Sequence, residues 1–252
     1  MIRMQINPQY KDIEQLIGAI PETFETSGII DYKSRNIIKI LDVNGILLNI
    51  KSFKKPHSIN RFIYSTFRKS KARRSFEYAN KLIQNNINTP APIAYIEEKN
   101  GLLLNRSFYI SLHEKTDGSM REFRTGKLSG RETLLACFAQ FTARLHNKEI
   151  LHLDYSPGNI LYKKNGDEYA FFLVDLNRMT FDKKVTLRQG CHNLRKLFGN
   201  KDMISYIARE YAMERQMDTE GCIGATLKYH DAFWTRFQKK HSRTFIPPYV
   251  ND

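Results

Sequence analysis

Between His152 and Asp175 the chain reads HLDYSPGNILYKKNGDEYAFFLVD. Asn159 follows Asp154 by five positions, and Asp175 ends the apolar run AFFLVD. An acid placed between Leu153 and Tyr155 has no packing reason to be there. Asn165-Gly166 is a turn signal between two strand-like runs, NILYK and YAFFLVDL, so the second run should fold back on the first. That hairpin returns the chain to the loop it left. Asp154, Asn159 and Asp175 should therefore meet, and the fold must be one that tolerates three oxygen-bearing side chains in one place.

The flanking sequence indicates what surrounds them. NIIKIL and ILLNIKSF are β-branched and leucine-rich runs joined by DVNG, where Asn44-Gly45 is a strong hairpin signal. In RKSKARRSFEYANKLIQNN, residues Phe76, Ala79, Leu82 and Ile83 recur at helical spacing. PAPIAYIEE and RSFYISLHE read as two further strands about the turn KNG. A link, KTDGSMREFRTGKLSG, leads to the helix RETLLACFAQFTARLHNKEI, and the chain from Thr186 to about Phe237 is mainly helical. The first hundred residues read as mostly strand. The order implies an α+β fold of two lobes, with residues 1–115 an antiparallel sheet carrying one inserted helix and residues 116–252 mainly helical. A cleft between lobes is where ligands tend to sit.

Composition narrows the function classes. A chain of 252 residues with 41% apolar content can bury a proper core. It has no apolar run of eighteen residues, so no membrane-spanning helix is expected. The start, MIRMQINPQYKDIEQ, is too polar for a signal peptide, and a cytoplasmic location is expected. Cys137, Cys191 and Cys222 lack metal-ligand spacing and are expected to be reduced thiols. The net charge of +14 creates a field that attracts polyanions. No recognition-helix, zinc or stacking-sheet motif accompanies it, so nucleic acid is not the expected partner.

The convergent oxygens suit phosphoryl transfer from ATP. That reaction needs an oriented acceptor hydroxyl, held metal ions and neutralised phosphate charge rather than covalent help. In the kinase catalytic loop, H-x-D is followed five residues later by Asn, with a second Asp on the next hairpin. His152, Asp154, Asn159 and Asp175 reproduce this, Pro157 included. Asp154 is the expected base, Asn159 and Asp175 the expected magnesium ligands, and His152 a scaffold that bonds backbone. A kinase also needs a lysine on a sheet strand and a glutamate on the inserted helix. ILLNIKSFKK supplies Lys51 and RRSFEYANKL supplies Glu77. There is no Gly-rich phosphate lid; the loop from about Thr26 to Asn36, with Ser34 and Arg35, is the substitute. The familiar D-F-G reads Asp175-Leu176-Asn177. No A-P-E follows, and Ser156 stands where protein kinases place a loop lysine. Both departures favour a small-molecule or glycan acceptor over a peptide.

The stretch from Leu47 to Glu98, with LHLDYSPGNILY and VDLNRM, resembles the bacterial lipopolysaccharide core kinases of the Kdo/WaaP type. The resemblance spans roughly residues 25 to 200. It implies a protein-kinase-like fold, use of ATP and magnesium, and phosphorylation of an inner-core sugar, Kdo first and heptose second. It makes Asp154 the base, gives Asn159 and Asp175 the metal, and gives Lys51 with Glu77 the ATP phosphates. It also assigns the segment from Leu112 to Lys115, with His113 and Glu114, to the adenine hinge. The acceptor, Kdo-lipid A, is polyanionic and membrane-bound, so a peripheral seat on the anionic inner membrane is the implied extension. Nine lysines and arginines fall between Lys51 and Arg74, among Phe53, Phe62, Ile63, Tyr64 and Phe67, aromatics that equally suit packing of the inserted helix. A second basic group, Lys228, Arg236, Lys239, Lys240 and Arg243, surrounds Trp234 and Phe237; it reads as a lipid contact or as a solvated helix face. The rival readings are a phosphotransferase for a soluble molecule of the aminoglycoside type and a non-catalytic, kinase-shaped binding protein.

Overall fold

The computed structural model describes residues 1–53, 69–101, 103–166 and 168–242. Lys54, Lys55, Phe62, Ile63, Tyr64, Phe67 and Arg243 lie outside them. The chain divides into two compact units, Met1–Lys115 and Thr116–Asp252. The division falls at the end of the segment 112–115.

The first unit is built on a six-stranded sheet in the order β1-β5-β6-β4-β3-β2. Its strands are β1 (Ile2–Ile6), β2 (Ile29–Lys33), β3 (Ile37–Val43), β4 (Ile46–Phe53), β5 (Pro92–Asn100) and β6 (Leu103–Leu112). Every neighbouring pair is antiparallel. The turn joining β3 to β4 is the one its sequence calls for. Asn44 and Gly45 both take positive φ, 54° and 81°, and Val43 faces Ile46 across it. Asp42 Oδ1 accepts the Gly45 amide at 2.8 Å. A type I′ turn of this hand matches the twist of the strands it joins.

Alternation along the strands gives the sheet two buried faces. Leu48 and Ile50 of β4, with Ile96, Phe108 and Ile110, pack against Ile13, Ile17, Ile20 and Phe24. Those four residues come from a helical stretch: a 3-10 turn (Pro8–Ile13), α1 (Glu14–Gly18) and α2 (Ile20–Thr23). Reading the first hundred residues as mostly strand overlooks this layer and β1. The signal was available, because positions 13, 17, 20 and 24 recur at intervals of four, three and four. On the opposite face Phe53, Tyr95 and Tyr109 meet Ala72 and Phe76 of α3 (Lys71–Gln84). Ser70 caps that helix by accepting the Arg73 amide. Phe76, Ala79 and Leu82 are buried, as their spacing predicts, whereas Ile83 is 44% exposed and lies on the outer flank.

Lys39 of β3 is almost wholly buried. Its ammonium donates to the carbonyls of Phe24, Glu25 and Ser27 and lies over the Phe24 ring. A buried charge needs such a full set of partners. The result ties the turn after α2 to β3, beside the exposed edge strand β2.

In the second unit, α4 (Glu132–Asn147) packs on α6 (Lys201–Glu214), while α6 and α5 (Leu187–Leu194) pack on α7 (Thr219–Lys240). The predicted hairpin forms from β9 (Ile160–Asn165) and β10 (Glu168–Leu173). Asp175 lies two residues past the strand end. The stretch read as a link is in fact structure. Gly118–Ser119 forms β7, the third strand beside β9, and the 3-10 turn Met120–Arg124 buries Met120 and Phe123. A two-stranded pairing joins β8 (Leu151–His152) to β11 (Met179–Thr180). Cys191 and Cys222, thirty-one positions apart, bring their Sγ atoms to 3.5 Å as buried free thiols.

Phe108 is fully buried and meets Phe24 edge-on at 5.2 Å. Phe108→Ala should cost about 3–5 kcal/mol of stability, read as a lowered urea midpoint for the full chain.

Candidate active site

The loop after β8 is held by a buried histidine. The His152 side chain is fully buried, and its Nδ1 accepts the Asp154 amide at 3.1 Å. The ring proton therefore sits on Nε2, which donates to the Val174 carbonyl at 3.1 Å. One neutral imidazole thus fastens the Asp154 loop to the segment carrying Asp175. This is the scaffold role the sequence suggested. Burial pushes the His152 pKa down, against the pull of the Val174 carbonyl and of Asp175 and Asp154.

Asn159 closes the loop from the other side. Its Nδ2 donates to the Asp154 carbonyl at 2.9 Å, and its own carbonyl accepts the Val174 amide at 3.0 Å. With the amide nitrogen engaged, the oxygen Oδ1 is left as the acceptor end. Asp175 sits in the left-handed region with φ 57°, and Asn177 Nδ2 donates to its Oδ1 at 2.6 Å. Asn177, at the third position of the altered D-F-G, is a buried clamp on the carboxylate. Asp154, Asn159 and Asp175 are thereby gathered by bonds among residues 152–177. Asn159 Oδ1 and the Asp175 carboxylate are hard oxygen donors of the kind magnesium takes, so this donor set fits such an ion.

Beneath the loop runs a buried chain of hydrogen bonds with one consistent direction. Arg215 donates to Tyr211 Oη, whose hydroxyl bonds His146 Nδ1 at 2.9 Å. His146 Nε2 then gives its proton to Asn193 Oδ1 at 3.3 Å, and Asn193 Nδ2 donates to the His152 carbonyl at 2.9 Å. His146 comes from α4, Asn193 from α5, and Tyr211 from α6, so three helices converge on the loop. Gly190 makes room for this: a Cβ there would lie 2.0 Å from Tyr211 Oη. Gly158, inside the loop, lies against the Arg121 guanidinium, where a Cβ would approach Nε to 2.4 Å.

Asp154 is partly exposed, and Lys196 donates to its Oδ1 at 2.5 Å. Partial burial raises the Asp154 pKa, but Lys196, through its hydrogen bond and charge, outweighs it with help from Arg178, and the net shift is downward. Arg195 also feels the Asp154 charge. Sequence reading missed Lys196, which stands forty-two positions from Asp154 with no motif spacing to mark it.

In the first unit, Lys51 pairs across the ladder with Tyr109 and shares the sheet face that α3 covers. Its Nζ lies 5.4 Å from the Phe53 ring centre. Glu77 is on α3, and its two oxygens accept Lys69 Nζ at 2.7 Å and Arg73 Nε at 2.8 Å. Burial raises the Glu77 pKa, but these two cations more than reverse it. The His113 amide donates to the Leu47 carbonyl at 2.8 Å, and Glu114 follows it in irregular chain. The β2–β3 connection is a short tip, with the Ser34 amide on the Asn36 carbonyl.

A family model described as "Lipopolysaccharide kinase (Kdo/WaaP) family" matches residues 47–215, well over half of the chain. The chain belongs to the lipopolysaccharide kinase (Kdo/WaaP) family. The match takes in Lys51, Glu77, Asp154, Asn159, Asp175 and Lys196. Comparison with curated protein sequences finds no match. Among solved structures, the chain is similar to "WaaP in complex with acyl carrier protein", with a TM-score of 0.63 at 14% identity, covering 91% of this chain and 98% of that one. It is also similar to a microcompartment-associated aminopropanol kinase, with a TM-score of 0.52 at 8% identity and 90% of each chain covered. At such identities the likeness is one of fold: an α+β, kinase-like architecture, as the sequence implied. No helix among the described residues is long and apolar enough to cross a membrane.

The buried His146 should make this member of the Kdo/WaaP family sensitive to acid. Burial, reinforced by the nearby Arg215 and only partly offset by the hydrogen bond to Asn193, lowers the His146 pKa from 6.5 to about 3. A folded state that refuses protons the unfolded state accepts is stable above the unfolded pKa and loses that stability as pH falls. Between pH 6.5 and about 4.5, where the carboxylates are still ionised, stability should fall by up to about 1.4 kcal/mol per pH unit on account of His146. Thermal melts across that range check this, and His146→Gln should flatten the slope.

Proposed function

We propose that this member of the family is an ATP-dependent kinase that phosphorylates a hydroxyl of the lipopolysaccharide inner core, Kdo before heptose. The observation that carries the reading is the locking of Asp154, Asn159 and Asp175 to one another through His152, Asn177 and backbone. Catalysis of phosphoryl transfer is chiefly positioning and electrostatics, and a rigid set of oxygens answers that need.

Asp154 accepts the proton of the acceptor hydroxyl as its oxygen bonds to the γ-phosphorus and ADP departs. Asn159 Oδ1 and Asp175 would hold magnesium, which when bound neutralises charge on the phosphates. Lys51 contacts the α- and β-phosphates, with Glu77 as its anchor, although Lys69 and Arg73 already engage both Glu77 oxygens. Adenine is read by backbone groups of the segment at His113 and Glu114. Since the His113 amide is taken by Leu47, those contacts fall on the groups beyond it. The tip at Ser34, Arg35 and Asn36 serves as the phosphate lid.

The surroundings of Asp154 favour an anionic acceptor. Lys196, Arg178 and Arg195 all act on its carboxylate, a setting that repels a cationic aminoglycoside. The net charge of +14 suits Kdo-lipid A and an anionic membrane surface, consistent with a peripheral seat at the cytoplasmic face of the inner membrane. In the second basic group, Lys228, Arg236, Lys239 and Lys240 are exposed along α7, while Trp234 packs among Phe198, Phe233 and Phe237. That arrangement supports a solvated or lipid-facing cationic rim over an aromatic cluster.

Transfer of labelled γ-phosphate should occur to Kdo-lipid A and not to a panel of aminoglycosides and amino alcohols. Asp154→Ala should reduce it by about 10²–10⁴-fold. Transfer to the soluble panel alone would move the reading to a small-molecule phosphotransferase. Undiminished transfer by Asp154→Ala would remove the base from its assigned place.

A further inference from the structure

Ser156 leaves the catalytic loop without the lysine that the pattern H-R-D-L-K-P-x-N carries two positions after its Asp. The charge is nevertheless there. Lys196, from the turn that follows α5, reaches Asp154 Oδ1 at 2.5 Å. Its backbone is fixed on both sides. Leu194 and Leu197 are buried, the Leu197 amide bonds the Leu194 carbonyl at 3.0 Å, and His230 Nε2 holds the Leu197 carbonyl at 3.1 Å. The same short helix carries Asn193, which grips the His152 carbonyl. One element therefore both anchors the loop and delivers an ammonium to its carboxylate.

We propose that Lys196 is the positioning residue of the transfer step, doing from the end of α5 what a lysine at position 156 does in the protein-kinase loop. The inference rests on the reading of Asp154 as the base. Lys196 holds Oδ1, so the carboxylate is fixed in orientation and Oδ2 is presented to the acceptor hydroxyl. In the step itself, the acceptor oxygen forms its bond to the γ-phosphorus. The bond from that phosphorus to the β–γ bridging oxygen breaks with its electron pair on ADP, and the acceptor's proton passes to Asp154. As Asp154 loses its negative charge, the ammonium of Lys196 remains, and its unbalanced positive charge faces the phosphoryl group in transit. Side chains of Lys196 and Asp154 are 22% and 31% exposed, so the pair is partly buried yet open to an incoming acceptor.

The test moves the charge. Lys196→Ala should lower kcat by about 10²-fold, in transfer to Kdo-lipid A and equally in the slow hydrolysis of ATP, where water is the acceptor. KM for ATP should stay within about threefold and the melting temperature within about 2 °C. Lys196→Arg should restore at least about tenfold of the loss, and so should Ser156→Lys placed in the Lys196→Ala background. A kcat for Lys196→Ala within threefold of wild type overturns the proposal. So does a loss that neither added cation repairs, because that is the signature of a structural role. The hydrolysis measurement separates this from the acceptor assignment. Wild type that hydrolyses ATP but never labels Kdo-lipid A defeats the acceptor, while the Lys196 comparison still reads out on water.

Discussion

The imidazole of His152 is the joint on which the arrangement of the Asp154 loop and the Asp175 segment depends. It must be neutral, with its proton on Nε2, because one nitrogen receives the Asp154 amide and the other serves the Val174 carbonyl. Burial enforces that state by making the imidazolium costly. A protonated ring would have no acceptor to offer the Asp154 amide, and the loop would lose its tie to the Asp175 segment. The buried chain through Asn193, His146, Tyr211 and Arg215 extends the same requirement outward, since each member is oriented by the donor behind it. The loop at Asp154 is thus held from beneath by groups of three helices with one consistent order of donors and acceptors.

Electrostatics adds a second layer. The chain is strongly basic, yet charge is not spread evenly in effect. Lys39 is consumed internally by three carbonyls, and Lys69 and Arg73 are engaged by Glu77. Lys196, Arg178 and Arg195 act on Asp154. Under the proposed function negative phosphates must gather beside the Asp154 carboxylate, and cations around it would reduce the repulsion. The total charge speaks to partners, whereas these local placements bear on the reaction.

Much of the architecture was readable because it follows short-range rules. The Asn44-Gly45 turn forms since few residues besides Gly and Asn take positive φ readily. Phe76, Ala79 and Leu82 share a helix face by period alone. The layer of Ile13, Ile17, Ile20 and Phe24 was equally periodic, but its segments are so short and broken by Pro8 and Pro21 that composition masked them. The run GSMREFR looked like a polar link because only Met120 and Phe123 are buried, and a 3-10 turn has too few residues to show a period. Ile83 fits the helical spacing and still ends up on the flank, since α3 buries a narrower stripe than its apolar residues span.

The sequence by itself determined the antiparallel sheet, its inserted helix and the meeting of Asp154, Asn159 and Asp175, because a loop and one hairpin bring those three together over two dozen residues. The tertiary structure alone decided which distant groups complete them. Lys196, Asn193 and His146 reach the loop from other helices, and Cys191 meets Cys222 in the same way. No local spacing encodes such encounters. They are set by how α4, α5, α6 and α7 pack, and packing is a property of buried surfaces matched across the whole unit.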